Sequence, residues 1–206
     1  MRKLILHLII STDGFISTEA GDVNPAAHWS EEIQDHYTDL FDRAGGLVFG
    51  RNFYEQYIGH YSKVAAGEIP AENDLPPEEA HNEHLLASHL SWTKRLIDMD
   101  KFVVSNSLPP AAPGISVISD DIASQVRQLK QQEGGDLLLM CGPSLFAVLT
   151  ANQLIDEYMF YVYPNALGQG NHLYRDIAAP ISLTPGRTIP FADGMELRSY
   201  KPDCAA

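Results

Sequence analysis

Residues 136–146 read DLLLMCGPSLF. Asp136 to Cys141 is a short, almost wholly apolar run, the pattern of a strand buried on both faces. Gly142-Pro143-Ser144 then starts a helix, with Pro143 at a first-turn position where its missing N–H has no intrahelical partner to lose. The same unit recurs upstream: Leu47-Val48-Phe49 is a short buried strand, and Gly50-Arg51 turns into a helix running to about Tyr61. Further strands are expected at residues 3–10 (KLILHLII), 101–105 (KFVVS), Ile115 to Ser119 and Ile155 to Tyr163. Ser30 is placed to cap a helix carrying Ile33, Tyr37, Leu40, Phe41 and Ala44 at helical spacing, and Asp120 one carrying Ile122, Val126 and Leu129. Residues 62–76 read as an inserted polar loop, and Pro76-Pro77-Glu78-Glu79 as the opening of another helix. Two final strands, Ile181 to Ile189 and Met195 to Lys201, are joined by a turn at Ala192-Asp193-Gly194. Strands alternating with helices, then a closing hairpin, imply an α/β fold with a mostly parallel sheet covered on both faces and an antiparallel edge. Residues 1–206 are read as one domain, with 62–100 the excursion from its core.

Composition narrows the function. The chain has 206 residues and a formal net charge of −13. Such a surface repels phosphate backbones, so no nucleic-acid partner is expected. No apolar run reaches the roughly 18 residues of a membrane span. Leu4 to Ile10, behind Arg2-Lys3, is too short for a signal peptide and lacks a small-residue cleavage site, so a soluble cytoplasmic protein is expected. Cys141 and Cys204 form neither a disulfide framework nor a zinc knuckle. Neither a G-x-S-x-G elbow, a Walker loop nor G-x-G-x-x-G at a strand-to-helix turn is present.

Ligands of open α/β sheets bind beyond the carboxyl ends of the strands. Free N–H groups at helix starts attract anions there, and the starts after Gly50 and Gly142 are candidates to cradle one dinucleotide between them, with Arg51 able to fork onto a phosphate. Tight-turn glycine is the alternative reading of either position. In order, the strand ends read Ser11-x-Asp13-Gly14-x-Ile16, Val48-Phe49-Gly50-Arg51-x-x-Tyr54-Glu55, Val103-Val104-Ser105 and Leu139-x-x-Gly142-Pro143-Ser144-Leu145. Pro164-x-x-Leu167-Gly168-x-Gly170-x-x-Leu173-Tyr174 follows.

This series resembles the dihydrofolate-reductase-like family, closest to the branch that includes the reductase domain of the bifunctional riboflavin-pathway deaminase-reductase. The resemblance runs nearly end to end, except over residues 62–100. It implies a three-layer α/β/α fold with an NADPH site and hydride transfer to a small planar heterocycle, a pterin or an aminopyrimidine. On that pattern Gly50, Arg51, Gly142, Pro143, Ser144 and Leu145 hold the cofactor's pyrophosphate, while Ser105 and Asn106 lie near the adenosine ribose. Asp13 and Gly14, with the loop through Asp22, lie near nicotinamide and substrate, and Trp29 is an aromatic that can stack on the heterocycle or pin its loop. A homodimer is expected, through sheet edges or the strand near Glu157 to Tyr163.

Three residues depart from the pattern: Phe53 replaces a small hydroxyl residue, Asn106 a basic residue suited to a 2′-phosphate, and Cys141 the first of a glycine pair. Asn106 leaves NADH as a second cofactor. Together the three motivate an alternative, a non-catalytic member of the fold that binds a small ligand or partner. Asp13 reads either as a substrate-side carboxylate or as half of an Asp-Gly turn. Asp35 reads as a general acid or as part of a solvated acidic face with Glu31, Glu32, Asp39 and Asp42. His81, His84 and His89 with Glu78, Glu79 and Glu83 lack H-E-x-x-H spacing, and no metal site is expected.

Overall fold

A computed structural model describes residues 1–21, 30–75, 77–108 and 114–203. Among these residues ten strands and five α-helices follow in chain order. They are β1 (Leu4–Ser11), β2 (Phe15–Ser17), α1 (Glu31–Arg43), β3 (Gly46–Gly50), α2 (Arg51–Ala65) and α3 (Glu83–Asp98), then β4 (Lys101–Val104), β5 (Ile115–Ile118), α4 (Ile122–Gln131) and β6 (Leu137–Met140). The rest are α5 (Pro143–Ala151), β7 (Glu157–Tyr163), β8 (Asn171–His172), β9 (Leu183–Pro190) and β10 (Glu196–Pro202). Eight strands form one sheet in the order β5-β4-β3-β6-β1-β7-β10-β9. Pairing is parallel from β5 to β7; β10 runs antiparallel to both β7 and β9, giving the expected edge hairpin. Both hydrogen-bonding edges of β7 are therefore used within the chain.

Alternation along each central strand divides the core into two layers. Leu4, Leu6 and Leu8 of β1, Leu137 and Leu139 of β6, and Val48 of β3 face α4 and α5, packing with Val126, Leu129, Phe146 and Leu149. Ile5, Leu138, Met140, Leu47 and Phe49 face the other way, onto Tyr37 and Phe41 of α1, Tyr61 of α2 and Trp92 of α3. This is the three-layer arrangement expected.

Residues 62–100 behave differently from the excursion read from sequence. Trp92 and Leu96 are fully buried. Trp92 lies stacked near Phe41, ring centres 5.8 Å apart, and donates its indole N–H to Gln34 Oε1 at 2.6 Å. The polar stretch ahead of α3 hides this: the helix starts after Asn82, not at Pro76-Pro77, because the Asn82 side chain accepts the N–H groups of His84 and Leu85. His81 consequently precedes the helix, and no metal-binding group of His, Cys, Asp and Glu forms among the described residues. Likewise Asp121, not Asp120, caps α4, accepting the N–H of Ser124.

The small antiparallel sheet of β2 and β8 is absent from the sequence reading. It sets an arm beside the carboxyl end of β1. Gly14, at φ +89°, makes the turn into β2, where an added Cβ would lie 2.8 Å from His172 Nε2.

Candidate functional site

The site begins where two adjacent parallel strands end. Phe49 of β3 pairs with Met140 of β6, and the chain leaves these neighbours through Gly50 and Cys141-Gly142. From β3 it turns to the face holding α1 to α3; from β6 it turns to the face holding α4 and α5. The diverging connections open a crevice, as such reversals do in open α/β sheets. A cavity of about 480 Å³ occupies it.

Its floor is two helix starts. Gly50 is the N-cap of α2 and Gly142 that of α5, and neither helix receives a side-chain cap. The first N–H groups of a helix have no intrahelical acceptor, so both starts present donors and positive dipole ends to the cavity. A Cβ added at Gly142 meets no described residue within 4 Å. Glycine there leaves open volume directly over the α5 start, room for a ligand's phosphates to approach the backbone. Two guanidinium groups, Arg51 and Arg175, line the cavity, and no Asp, Glu or His is among its described lining residues. In a chain of charge −13 this is a lining whose formal charges are both positive, with a carboxylate behind each, Glu55 and Asp176. It suits an anionic ligand.

All eight residues assigned to the cofactor by sequence, Gly50, Arg51, Ser105, Asn106, Gly142, Pro143, Ser144 and Leu145, line this one cavity. Arg51 donates from Nε to Glu55 Oε1 at 2.9 Å and from Nη1 to Ser107 Oγ. These bonds hold its guanidinium between α2 and the turn after β4. Ser105 Oγ accepts the N–H groups of Ser107 and Leu108, at 3.2 and 3.1 Å, and so shapes that turn. Phe53 forms an apolar wall, packed on Phe49 and Tyr57. The Cys141 side chain is fully buried in the α4–α5 layer, and burial drives its thiol pKa well above the usual range.

The proposed substrate-side residues are not gathered in the same way. Asp13 lies outside the cavity lining. Its Oδ1 accepts Ser11 Oγ at 2.6 Å and the Leu167 N–H at 3.1 Å, and Oδ2 accepts the Gly168 N–H at 2.8 Å. The carboxylate ties the turn after β1 to the loop after β7. The hydroxyl of Ser11, then the Gly168 and Leu167 amides, lower its pKa to about 2. This matches the turn reading of Asp-Gly and leaves it ionised, unsuited to donate a proton near neutral pH. Asp35 is also elsewhere: it is exposed on α1 and accepts from His84 Nε2 and Ser88 Oγ of α3, at 3.1 and 3.0 Å. Gly14 lies in the turn below His172, and Asp22 and Trp29 fall outside the described residues.

The far wall is made by Ile16 and Ser17 of β2, Asn171 of β8, and Arg175, and sequence reasoning, which quoted Ile16 at a strand end, missed the other three. Asn171 Nδ2 donates to Ser17 Oγ at 2.7 Å, and its Oδ1 accepts from Arg175 Nη1 at 3.2 Å. Strands of three and two residues carry no periodicity to read. The only local signals were Gly168 and Gly170.

The sheet order, the helices on both faces and the crevice between diverging connections define a dihydrofolate-reductase-like α/β protein. Within that class, the chain belongs to the RibD C-terminal domain family, whose match covers residues 2–188. It is 27% identical over 195 residues to the uncharacterized protein YyaP of Bacillus subtilis (strain 168), spanning 94% of this chain and 92% of that one. Its fold is similar to that of a Shewanella sp. PV-4 protein provisionally assigned to riboflavin biosynthesis, with TM-score 0.67, 18% identity, and 99% and 100% of the two chains covered. It is also similar to dihydrofolate reductase from Enterococcus faecalis, a structure complexed with NADP(H), at TM-score 0.55, 14% identity, and 98% and 97% coverage.

Proposed function

We propose that the protein is a reductase dependent on a reduced nicotinamide dinucleotide, NADPH or NADH, that acts on a small planar heterocycle of the pterin or aminopyrimidine class. The observation that carries this reading is the cleft itself: two uncapped helix starts and two arginines, with no acidic side chain among its described lining residues. Gly50, Gly142, Ser144 and Leu145 would hold the diphosphate through backbone donors, and Arg51 would add a forked cation. The cofactor supplies a hydride. The chain's own part is to orient the two reactants and keep water from them. Phe53, Ile16 and Val148 provide apolar walls for that purpose. The family match and the NADP(H) complex of the Enterococcus faecalis enzyme support the same assignment.

A second reading is a non-catalytic binding protein on the same fold. It is favoured by one feature: Asp13 and Asp35 are both engaged elsewhere, so no carboxylate or imidazole among the described lining residues can pass a proton to a reduced substrate. Absorbance at the reduced nicotinamide band, followed with a panel of dihydropterins and aminopyrimidinones, separates the two. Substrate-dependent cofactor oxidation supports the reductase. Tight cofactor binding without turnover on any member of the panel supports the binding protein. A homodimer is proposed for either, to be checked by light scattering after gel filtration.

A further inference from the structure

Arg175 and Asp176 stand side by side after β8, against the first turn of α5. Arg175 lines the same cavity as Arg51. Asp176 Oδ2 accepts the hydroxyl of Ser144 at 2.8 Å and lies 3.7 Å from Arg175 Nε. Both side chains are about half exposed, at 50% and 40%. Arg175 Nη1 donates to Asn171 Oδ1, and Asn171 is in turn bonded to Ser17. The guanidinium is thus aimed from the β2–β8 arm, not loose in solvent. A carboxylate, meanwhile, holds a hydroxyl at the helix start where the dinucleotide reading puts a phosphate.

We propose that Arg175 is a second diphosphate-binding cation and that Asp176 is its counter-charge, competing with the ligand's phosphate for Ser144 and the α5 start. This rests on the dinucleotide reading of the cleft. A diphosphate entering over Gly142 brings negative charge toward Asp176. Two contacts then exchange: Ser144 Oγ turns from the carboxylate to a phosphate oxygen, and Arg175 from Asp176 to the same anion. Arg175 gains a charge-assisted, forkable partner. Asp176 is left with a like-charged neighbour and sets how tightly anions are held. The pair would act on the diphosphate, which NADPH and NADH share, and not on the 2′-phosphate that distinguishes them.

The test is a set of dissociation constants for NADPH and NADH, measured at one fixed ionic strength on the wild type, Arg175→Ala, Arg175→Lys and Asp176→Asn, with melting temperatures of the free proteins alongside. Arg175→Ala is expected to weaken both cofactors by the same factor, about tenfold or more. Arg175→Lys keeps the charge without the fork and should recover part of the loss. Asp176→Asn keeps an acceptor for Ser144 while removing the charge and should tighten both cofactors about three- to tenfold. A loss confined to NADPH, or no loss, in Arg175→Ala overturns the diphosphate assignment. Unchanged or weakened binding in Asp176→Asn overturns the competing role. A wild type that binds neither cofactor defeats the parent reading instead, and this inference with it.

Discussion

Under α1 and α3 the large side chains pack on one another. Trp92, Tyr37 and Phe41 are buried, Tyr37 and Trp92 ring centres are 5.8 Å apart, and the indole N–H is taken by Gln34. One strand end away, the crevice beyond β3 and β6 is built in the opposite manner. Among the described residues its helix starts carry no side-chain cap, Gly142 has open space before it, and the charged side chains of its lining are both arginines, with Glu55 and Asp176 behind them. The large side chains of the first region find their packing partners within the chain. In the second, backbone donors and arginines face open volume, the arrangement expected where a ligand completes the structure.

That contrast predicts mutations that separate stability from binding. The largest effect belongs to the packed side: Trp92→Ala should cost about 3–5 kcal/mol of folding stability in denaturant titration, through cavity formation and loss of the Gln34 partner. On the crevice side, Arg51→Ala should weaken reduced-cofactor binding about tenfold or more while stability moves by less than about 0.5 kcal/mol, because its own ion pair with Glu55 is exposed. Equal losses in both would erase the contrast. Gly142→Ala sharpens it further. The backbone at Gly142, φ −81° and ψ 177°, suits any residue, so the methyl should leave the fold intact or slightly stabilise it while obstructing the phosphates. Unaltered cofactor affinity in that variant would contradict the placement.

A pH-dependent effect arises from His7, buried between Tyr37 and Tyr161 with no hydrogen-bond partner for Nε2 among the described residues. Burial, then the nearby His36, lowers its pKa from 6.5 to about 3. The unfolded chain takes up a proton near pH 6.5 that the folded chain refuses until about pH 3. Stability should therefore fall as pH drops through that window, and His7→Phe should flatten the fall. Asp13 acts lower. Its depressed pKa contributes stability present above about pH 4 and lost as pH falls toward 2, so Asp13→Asn should remove that last part of the acid limb.

The parts legible in the sequence were those with a repeating physical signal. Leu137 to Met140, and Leu4 to Ile10 apart from His7, announce buried strands because a strand covered on both faces has few polar positions to interrupt it. Gly50 and Gly142 mark the crevice because each ends such a strand and opens a helix. Other features depend on chain segments far apart. Asp13 looks like a free carboxylate until the loop at Leu167 and Gly168 is folded onto it, and Asp35 until α3 brings His84 and Ser88 beside it. Trp92 sits behind a polar, proline-containing stretch that resembles an excursion, and only Asn82's capping shows where its helix begins. Arg175 had no motif of its own; its meaning comes from the β2–β8 arm that aims it.

The most direct measurement is a thermal-shift titration of the purified protein with NADPH and, separately, NADH. Mass action adds about 2.7 kcal/mol of stability at a ligand concentration 100 times its dissociation constant, a rise of several degrees for a domain of this size. A saturable rise with either cofactor, reduced by Arg51→Ala, is the result expected of a crevice completed by a dinucleotide. A melting temperature unmoved by both at millimolar concentration would contradict it.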